Sequence, residues 1–322
     1  MTTSVPAPIA LFAYRRPQHL ERTLAALRTN PEASDTALYV FSDAPKDASV
    51  AERVAEVRSL LGRIAGFASV HCVLREENFG LSRNITGGVS DVLRLHDSVI
   101  VVEDDIVASP FFLRFMNDAL ACYENEARVS SISGYCYPVA GAAPETYFIR
   151  GADCWGWATW RDRWQYYDSD GTRLLAQMRR RNLTHTFDFD GAMGFTQMLE
   201  DQIAGRNDSW AVRWHASCFL RDLLILYPGR PLAMNIGVDG SGTHCTGSDQ
   251  ALDVELSSTA VPVRALPIEE SLEMRTAIAA FLAQTQRQAG ARAPLSAISR
   301  LRKIVSYMFT TVPSKEQNEA KS

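Results

Sequence analysis

The stretch SVIVVEDD (98–105) sets an apolar run, Val99 to Val102, directly against three carboxylates, Glu103, Asp104 and Asp105. A run without polar alternation reads as a strand covered on both faces, as in parallel sheets flanked by helices. Three more such runs precede it: PIALFAY (8–14), ALYVFSD (37–43) and SVHCVLRE (69–76). Their starts lie about thirty residues apart, the size of a strand–helix unit. Between them, Leu20, Leu24 and Leu27 and then Val50, Val54, Val57, Leu61 and Ile64 recur at helical spacing. The expected fold class is α/β, a Rossmann-like, mostly parallel sheet with helices on both faces.

In open α/β sheets the ligand crevice lies outside the carboxyl ends of the strands. Polar side chains gather at three of those ends: Tyr14-Arg15-Arg16, Ser42-Asp43 and Glu103-Asp104-Asp105. Carboxylates packed together repel, and one of them takes up a proton unless a cation intervenes. Mg²⁺ or Mn²⁺ suits an oxygen-only set, completing its shell with water and substrate phosphates. Asp105 is the preferred direct ligand, Asp104 reaches a ribose or a metal-bound water, and Glu103 joins or orients them. The plainer alternative is an acidic cluster favouring a helix N-terminus. The intervening Ile106-Val107-Ala108 weakens it, because the next helix is expected near Ser109-Pro110. Arg15 is placed to pair a diphosphate, and Asp43 to accept hydrogen bonds from a base or ribose. NFGLSRN (78–84) adds Asn78, Arg83 and Asn84 at a Gly turn into a helix, where backbone N–H groups favour anions. Each of these also reads singly as a turn or a solvated helix start.

Of 322 residues, 46% are hydrophobic and 22% charged, which is ample for a globular core. A net charge of −4 argues against a nucleic-acid partner. MTTSVPAPIALFAY carries neither the basic start nor the apolar length of a secretion signal, and the six scattered cysteines form no C-x-x-C. A cytoplasmic protein with reduced thiols is expected. The regular repeat ends near 145–150. The expected organisation is a βα region over 1–145, an acceptor-side catalytic region of the same domain over 146–250, and a connector with a C-terminal helical tail over 251–322. LLILYPG (223–229) and PLAMNIG (231–237) read as two strands around a Gly turn.

At this level of detail the chain resembles the GT-A glycosyltransferases, specifically a bacterial group related to family 2, and more distantly the N-acetylglucosaminyltransferase I type. The resemblance rests on LFAYRRPQHLERTLAAL, FSD, ENFGLSRNITGGV, VIVVEDDIVASPFFLRFMNDAL, CWGWATWRDRW, DSWAVRW and NIGVDGSGTHC, in family order over roughly residues 7–245. It implies a nucleotide-sugar donor, usually UDP-linked, a divalent metal, and an acceptor that is a saccharide or lipid-linked. It implies nucleotide contacts at Arg15, Asp43 and Arg83, a ribose and metal contact at Asp104 and Asp105, and an inverting reaction. The triplet here is Glu-Asp-Asp in place of the commoner D-x-D, as in the N-acetylglucosaminyltransferase-like branch.

An inverting transfer needs a carboxylate base beside the attacking hydroxyl. Asp208, just ahead of Trp210 and Trp214, is the leading candidate, although it also suits a helix cap. Glu200 and Asp201 compete but read as solvated. In CWGWATW, Trp155 and Trp157 around Gly156 are expected to wall the sugar site, and Trp160 and Trp164 to be core. His244, in the Gly-rich stretch 239–249, is a further candidate metal or diphosphate ligand, and the stretch itself a candidate lid. The tail 294–313 has one apolar side and one basic side, suiting an anionic membrane face or packing on the domain or a partner. Two other readings remain: a sugar-phosphate nucleotidylyltransferase, which would want a Gly-rich loop where AYRRPQH stands, and a non-catalytic sugar-nucleotide or glycan-binding protein. A phosphatase with an Asp nucleophile at the first strand end is disfavoured by Tyr14-Arg15.

Overall fold

The computed structural model describes residues 5–237 and 252–291. The expected α/β class is what the chain adopts: a central, largely parallel sheet flanked by helices. The first half runs β1 (Ile9–Ala13), α1 (Pro17–Arg28), β2 (Ala37–Ser42), α2 (Ala48–Leu61), β3 (Ser69–Leu74), α3 (Gly80–Leu95), β4 (Ser98–Glu103), β5 (Ile106–Ala108) and α4 (Phe112–Cys122). All five residues of β1 are buried, as its unbroken apolar sequence requires. Pro17 opens α1, where its missing N–H costs nothing, and Leu20, Leu24 and Leu27 form the buried stripe. The acidic triplet does not run straight into a helix. Ile106–Ala108 forms a short strand first, and Ser109 then turns the chain, its Oγ accepting from the Phe111 amide at 3.1 Å.

The second half continues β6 (Val129–Ser133), β7 (Thr146–Arg150), β8 (Trp157–Trp160), α5 (Arg161–Trp164), α6 (Gly171–Arg180), α7 (Thr184–Phe187), α8 (Phe195–Ile203), α9 (Trp210–Leu220), β9 (Leu224–Pro228), β10 (Ala233–Asn235) and α10 (Leu272–Ala291). The main sheet has eight strands in the order β3-β2-β1-β4-β8-β6-β9-β7. Strands β3, β2, β1 and β4 are parallel; β8 runs antiparallel between β4 and β6. The chain therefore walks outward from β1 to β3, then returns across α3 to place β4 on the other side of β1. That reversal sets the ends of β1 and β4 side by side, so that Tyr14 and Arg16 meet the acidic triplet at the edge where such sheets bind ligands.

One sequence expectation fails here. Residues 223–237 do not pair as a hairpin. Strand β9 lies in the main sheet between β6 and β7, whereas β10 pairs antiparallel with β5 in a separate two-stranded sheet. The apolar faces of the two segments are buried against different partners, and local turn chemistry yields to that packing.

Helix α9 is buried along its whole length, Arg213 and His215 included. It anchors an aromatic core in which Trp157 stacks on Trp210 at 5.5 Å, with Trp164 and Trp214 beside them. Gly156 enters β8 with φ +64° and accepts at its carbonyl from the Gly134 amide at 2.7 Å. A Cβ there would lie 3.0 Å from the Ala233 Cβ. Gly156→Ala is expected to lower stability by about 2 kcal/mol, from the left-handed backbone cost and the crowding together. Denaturant unfolding of the variant checks this; an unchanged midpoint would mean that the turn relaxes freely.

Candidate active site

The acidic end of β4 is neutralised in part from within the chain. One terminal nitrogen of the Arg16 guanidinium donates to Asp104 Oδ1 at 2.6 Å and to Asp105 Oδ2 at 2.8 Å. Asp104 also accepts from the Tyr14 amide at 3.1 Å, which binds the ends of β1 and β4 together. Both aspartates are buried, at 3% and 5% exposure, so a single guanidinium serves two desolvated carboxylates. Burial pushes the Asp104 carboxyl up, against the pull of Arg16. Burial, with the neighbouring Asp105 and Asp104 charges, pushes the Glu103 carboxyl up to about 8. Crowded carboxylates hold a proton more tightly than isolated ones.

Arg15 is expected to pair a diphosphate. Its neighbour Arg16 makes the carboxylate bridge, and the Arg15 guanidinium lies 6.0 Å from the Tyr14 ring centre.

Asp43, expected to meet a base or ribose, is committed to the fold. Its Oδ1 accepts from the Ala44 and Phe79 amides at 2.9 and 2.8 Å, and its Oδ2 from the Gly80 amide and Asn78 Nδ2 at 2.9 and 3.2 Å. Four donors saturate the carboxylate. Asp43 therefore pins the turn before α3 to the end of β2. Asn78 shares that duty, donating also to the Ala44 carbonyl at 2.7 Å. The Tyr14 hydroxyl closes the circuit by accepting from the Lys46 amide at 3.1 Å. Arg83 is exposed, pairs with Glu77 at 3.0 Å and lies 3.6 Å over the Phe79 ring. Asn84 is buried and accepts from Arg75 Nε at 3.2 Å.

The start of α3 was read as an anion site, and anions do occupy it; they are side chains of the protein. Besides Asp43, the Asp208 carboxylate takes the Ser82 amide at 3.2 Å. A Cβ on Gly80 would lie 3.3 Å from Asp208 Oδ2, so glycine, here at φ +71°, lets the carboxylate approach. Asp208 is not the cap of α9. Ser209 is, its Oγ accepting from the Val212 amide at 3.1 Å. Asp208 is half-buried and its other oxygen makes no hydrogen bond. Burial raises its pKa, while the Ser82 amide and Arg213 pull it down. Glu200 and Asp201 pair with Arg179 and Arg206 on the outside of α8, as their sequence suggests.

The tryptophan expectations need correcting. Trp157 has no exposed surface and lies within the aromatic core; Trp155 is 4% exposed and meets Tyr135 edge-on at 4.8 Å. Trp157 opens β8, a central strand whose four residues are all buried, and Trp155 lies buried just ahead of that strand. Trp160 and Trp164 are buried too, the latter donating to Ser90 Oγ at 2.9 Å. The residue of that segment which sequence reasoning passed over is Asp153. It is buried, accepts from Tyr227 Oη at 2.8 Å and from the Cys154 amide at 2.6 Å, and burial raises its pKa. Cys154 feels the charges of Glu103 and Asp105, so this turn borders the acidic cluster. His244 and the 239–249 stretch lie outside the described residues, as does the tail 294–313.

A divalent cation is compatible with what remains. Asp105 keeps one oxygen outside the Arg16 bridge, and among the described residues no hydrogen bond is made to the Glu103 side chain. Among the described residues no group of three His, Cys, Asp or Glu side chains is arranged to hold a metal. Two carboxylates are nevertheless the number that Mg²⁺ or Mn²⁺ takes when substrate phosphates complete its shell.

No family model and no curated protein matches the chain. Among solved structures it is similar to the mannosyltransferase PcManGT from Pyrobaculum calidifontis in complex with GDP-Man and Mn²⁺, at 12% sequence identity and a TM-score of 0.37, over 95% of this chain and 81% of that one. Among the described residues no helix is long and apolar enough to cross a membrane.

Proposed function

We propose that the chain is a GT-A-type glycosyltransferase that moves a sugar from a nucleotide-sugar donor, UDP-linked in this reading, to a saccharide or lipid-linked acceptor of bacterial surface polysaccharide synthesis. The observation that carries this reading is the acidic end of β4, where Arg16 bridges Asp104 and Asp105 and the Tyr14 amide donates to Asp104. A second group of carboxylates, Asp43 and Asp208, holds the first turn of α3 through the Gly80 and Ser82 amides. A donor's diphosphate belongs beside the first and an acceptor hydroxyl beside the second.

In the reaction the acceptor oxygen bonds to the anomeric carbon, the bond from that carbon to the diphosphate breaks, and the acceptor proton passes to Asp208. One base on one face of the sugar gives inversion. Asp105 and Glu103, with Asp104 behind them, would hold Mn²⁺ or Mg²⁺; when bound, the ion offsets the charge on the departing diphosphate. Arg16 orients both aspartates, and Asp43 with Asn78 fixes the turn that carries Asp208's amide partner.

A panel of UDP-, GDP-, dTDP- and CMP-sugars, with and without Mn²⁺, tests the proposal by thermal shift. The matching donor with metal, at a hundredfold excess over its Kd, is expected to stabilise the fold by about 2.7 kcal/mol. No shift with any donor, in the presence of Mn²⁺, would remove the nucleotide-sugar reading; a shift without any transfer would favour a binding protein.

A further inference from the structure

Arg213 lies on α9, five residues beyond Asp208, and is 8% exposed. Its guanidinium reaches three separate segments: Nε donates to the Ser209 carbonyl at 3.0 Å, one terminal nitrogen to the Ser169 carbonyl at 3.2 Å, and the other to Ser82 Oγ. All three acceptors are neutral. Among the described residues no carboxylate forms an ion pair with it. A buried cation without a counter-ion costs several kcal/mol, and carbonyl and hydroxyl acceptors offset only part of that. The other buried arginines here differ: Arg163 pairs with Asp162 at 2.6 Å and Arg275 with Asp190 at 3.3 Å.

What Arg213 touches explains its place. Ser82 offers its hydroxyl oxygen to Arg213 while its amide donates to Asp208. One residue on the first turn of α3 is thus gripped from both sides by the segment 208–213. Tyr167 joins the cluster through the Ser82 side chain. We propose that Arg213 is a positioning residue for Asp208: through Ser82 it clamps α3 to the start of α9, and it supplies the positive field that favours the charged carboxylate. This deepens the reading of Asp208 as the base and rests on it for its catalytic meaning.

Among the described residues, the groups that bear on Asp208 are Arg213 from α9, the Ser82 amide from α3 and Tyr167 from the segment before α6. Arg213 is the cation of that set.

The test is a carboxyl ¹³C NMR titration of the full chain, with the Asp208 signal assigned by its loss in Asp208→Asn. In Arg213→Gln the Asp208 midpoint is expected to rise by about one pH unit relative to the native protein. In Arg213→Lys, which keeps the charge, it is expected to stay at the native value. A native midpoint in Arg213→Gln, or a rise in Arg213→Lys as large as in Arg213→Gln, would overturn the proposal and leave Arg213 a packing residue. If Arg213→Gln does not fold, Arg213→Lys alone decides: a retained midpoint supports the role, and a rise of about a unit sinks it. The readout needs no substrate, so a chain that transfers no sugar would count against the function proposed above without touching this result.

Discussion

Asp208→Asn is expected to lower the rate of sugar transfer by about 10²–10⁴-fold, the usual contribution of a positioned general base, while leaving donor binding intact. Asparagine fills the same volume and its carbonyl oxygen can still accept from the Ser82 amide, so the contact between α3 and the start of α9 survives. What it loses is the lone pair that takes the acceptor proton. The pH dependence follows with its sign. The base works when ionised, so transfer rises with pH through the Asp208 titration. Burial sets that titration above the ordinary aspartate range, and the acid limb should lie correspondingly higher. Initial rates of the native protein and the variant, across pH and at saturating donor, check both statements. Unchanged transfer in Asp208→Asn would move the base elsewhere; loss of donor binding would mean that Asp208 holds the donor.

The second large effect concerns Arg16. Removing one partner from a buried ionic cluster costs more than the cluster contributed, because the remaining charges are left uncompensated. Arg16→Ala leaves two aspartates at 3% and 5% exposure with Glu103 beside them. A loss of about 3–5 kcal/mol at neutral pH is expected, measured by denaturant unfolding. The sign with pH is definite. Arg16 lowers the Asp104 pKa, so its contribution is present where the carboxylates are ionised and fades as falling pH protonates them. Native and variant proteins should converge in stability toward pH 4. Mn²⁺ at neutral pH should restore part of the loss if a cation can occupy this cluster. A variant as stable as the native chain at pH 7.5 would show that the carboxylates are already protonated; a variant indifferent to Mn²⁺ would end the metal assignment.

Arg16 also shows how two signals at one strand end can answer each other. Three carboxylates suggested an external cation, and the chain provides an internal one 88 positions away. The need for a metal is thereby reduced, and the case for one rests on the oxygens that Arg16 leaves free. The same lesson applies at α3. Its N-terminus attracts anions as its dipole requires, and Asp43 and Asp208 satisfy it before any phosphate arrives.

Much was settled by the amino-acid order alone. Unbroken apolar runs and helical stripes specified β1 to β4 and the helices between them, since burial on two faces or one leaves its period in the local sequence. Polar residues directly after those runs had to stand at the carboxyl edge, which located the crevice and put Asp104 and Asp105 in it. Tertiary structure alone decided which side chains face each other. The Arg16 bridge, the saturation of Asp43 and the clamp between Arg213 and Ser82 depend on contacts between residues 35 to 131 positions apart. Such contacts leave no period in the sequence. They follow from where the sheet's reversal between β1 and β4 and the fully buried α9 bring distant segments together, and a donor or acceptor finds its partner only after that packing is in place.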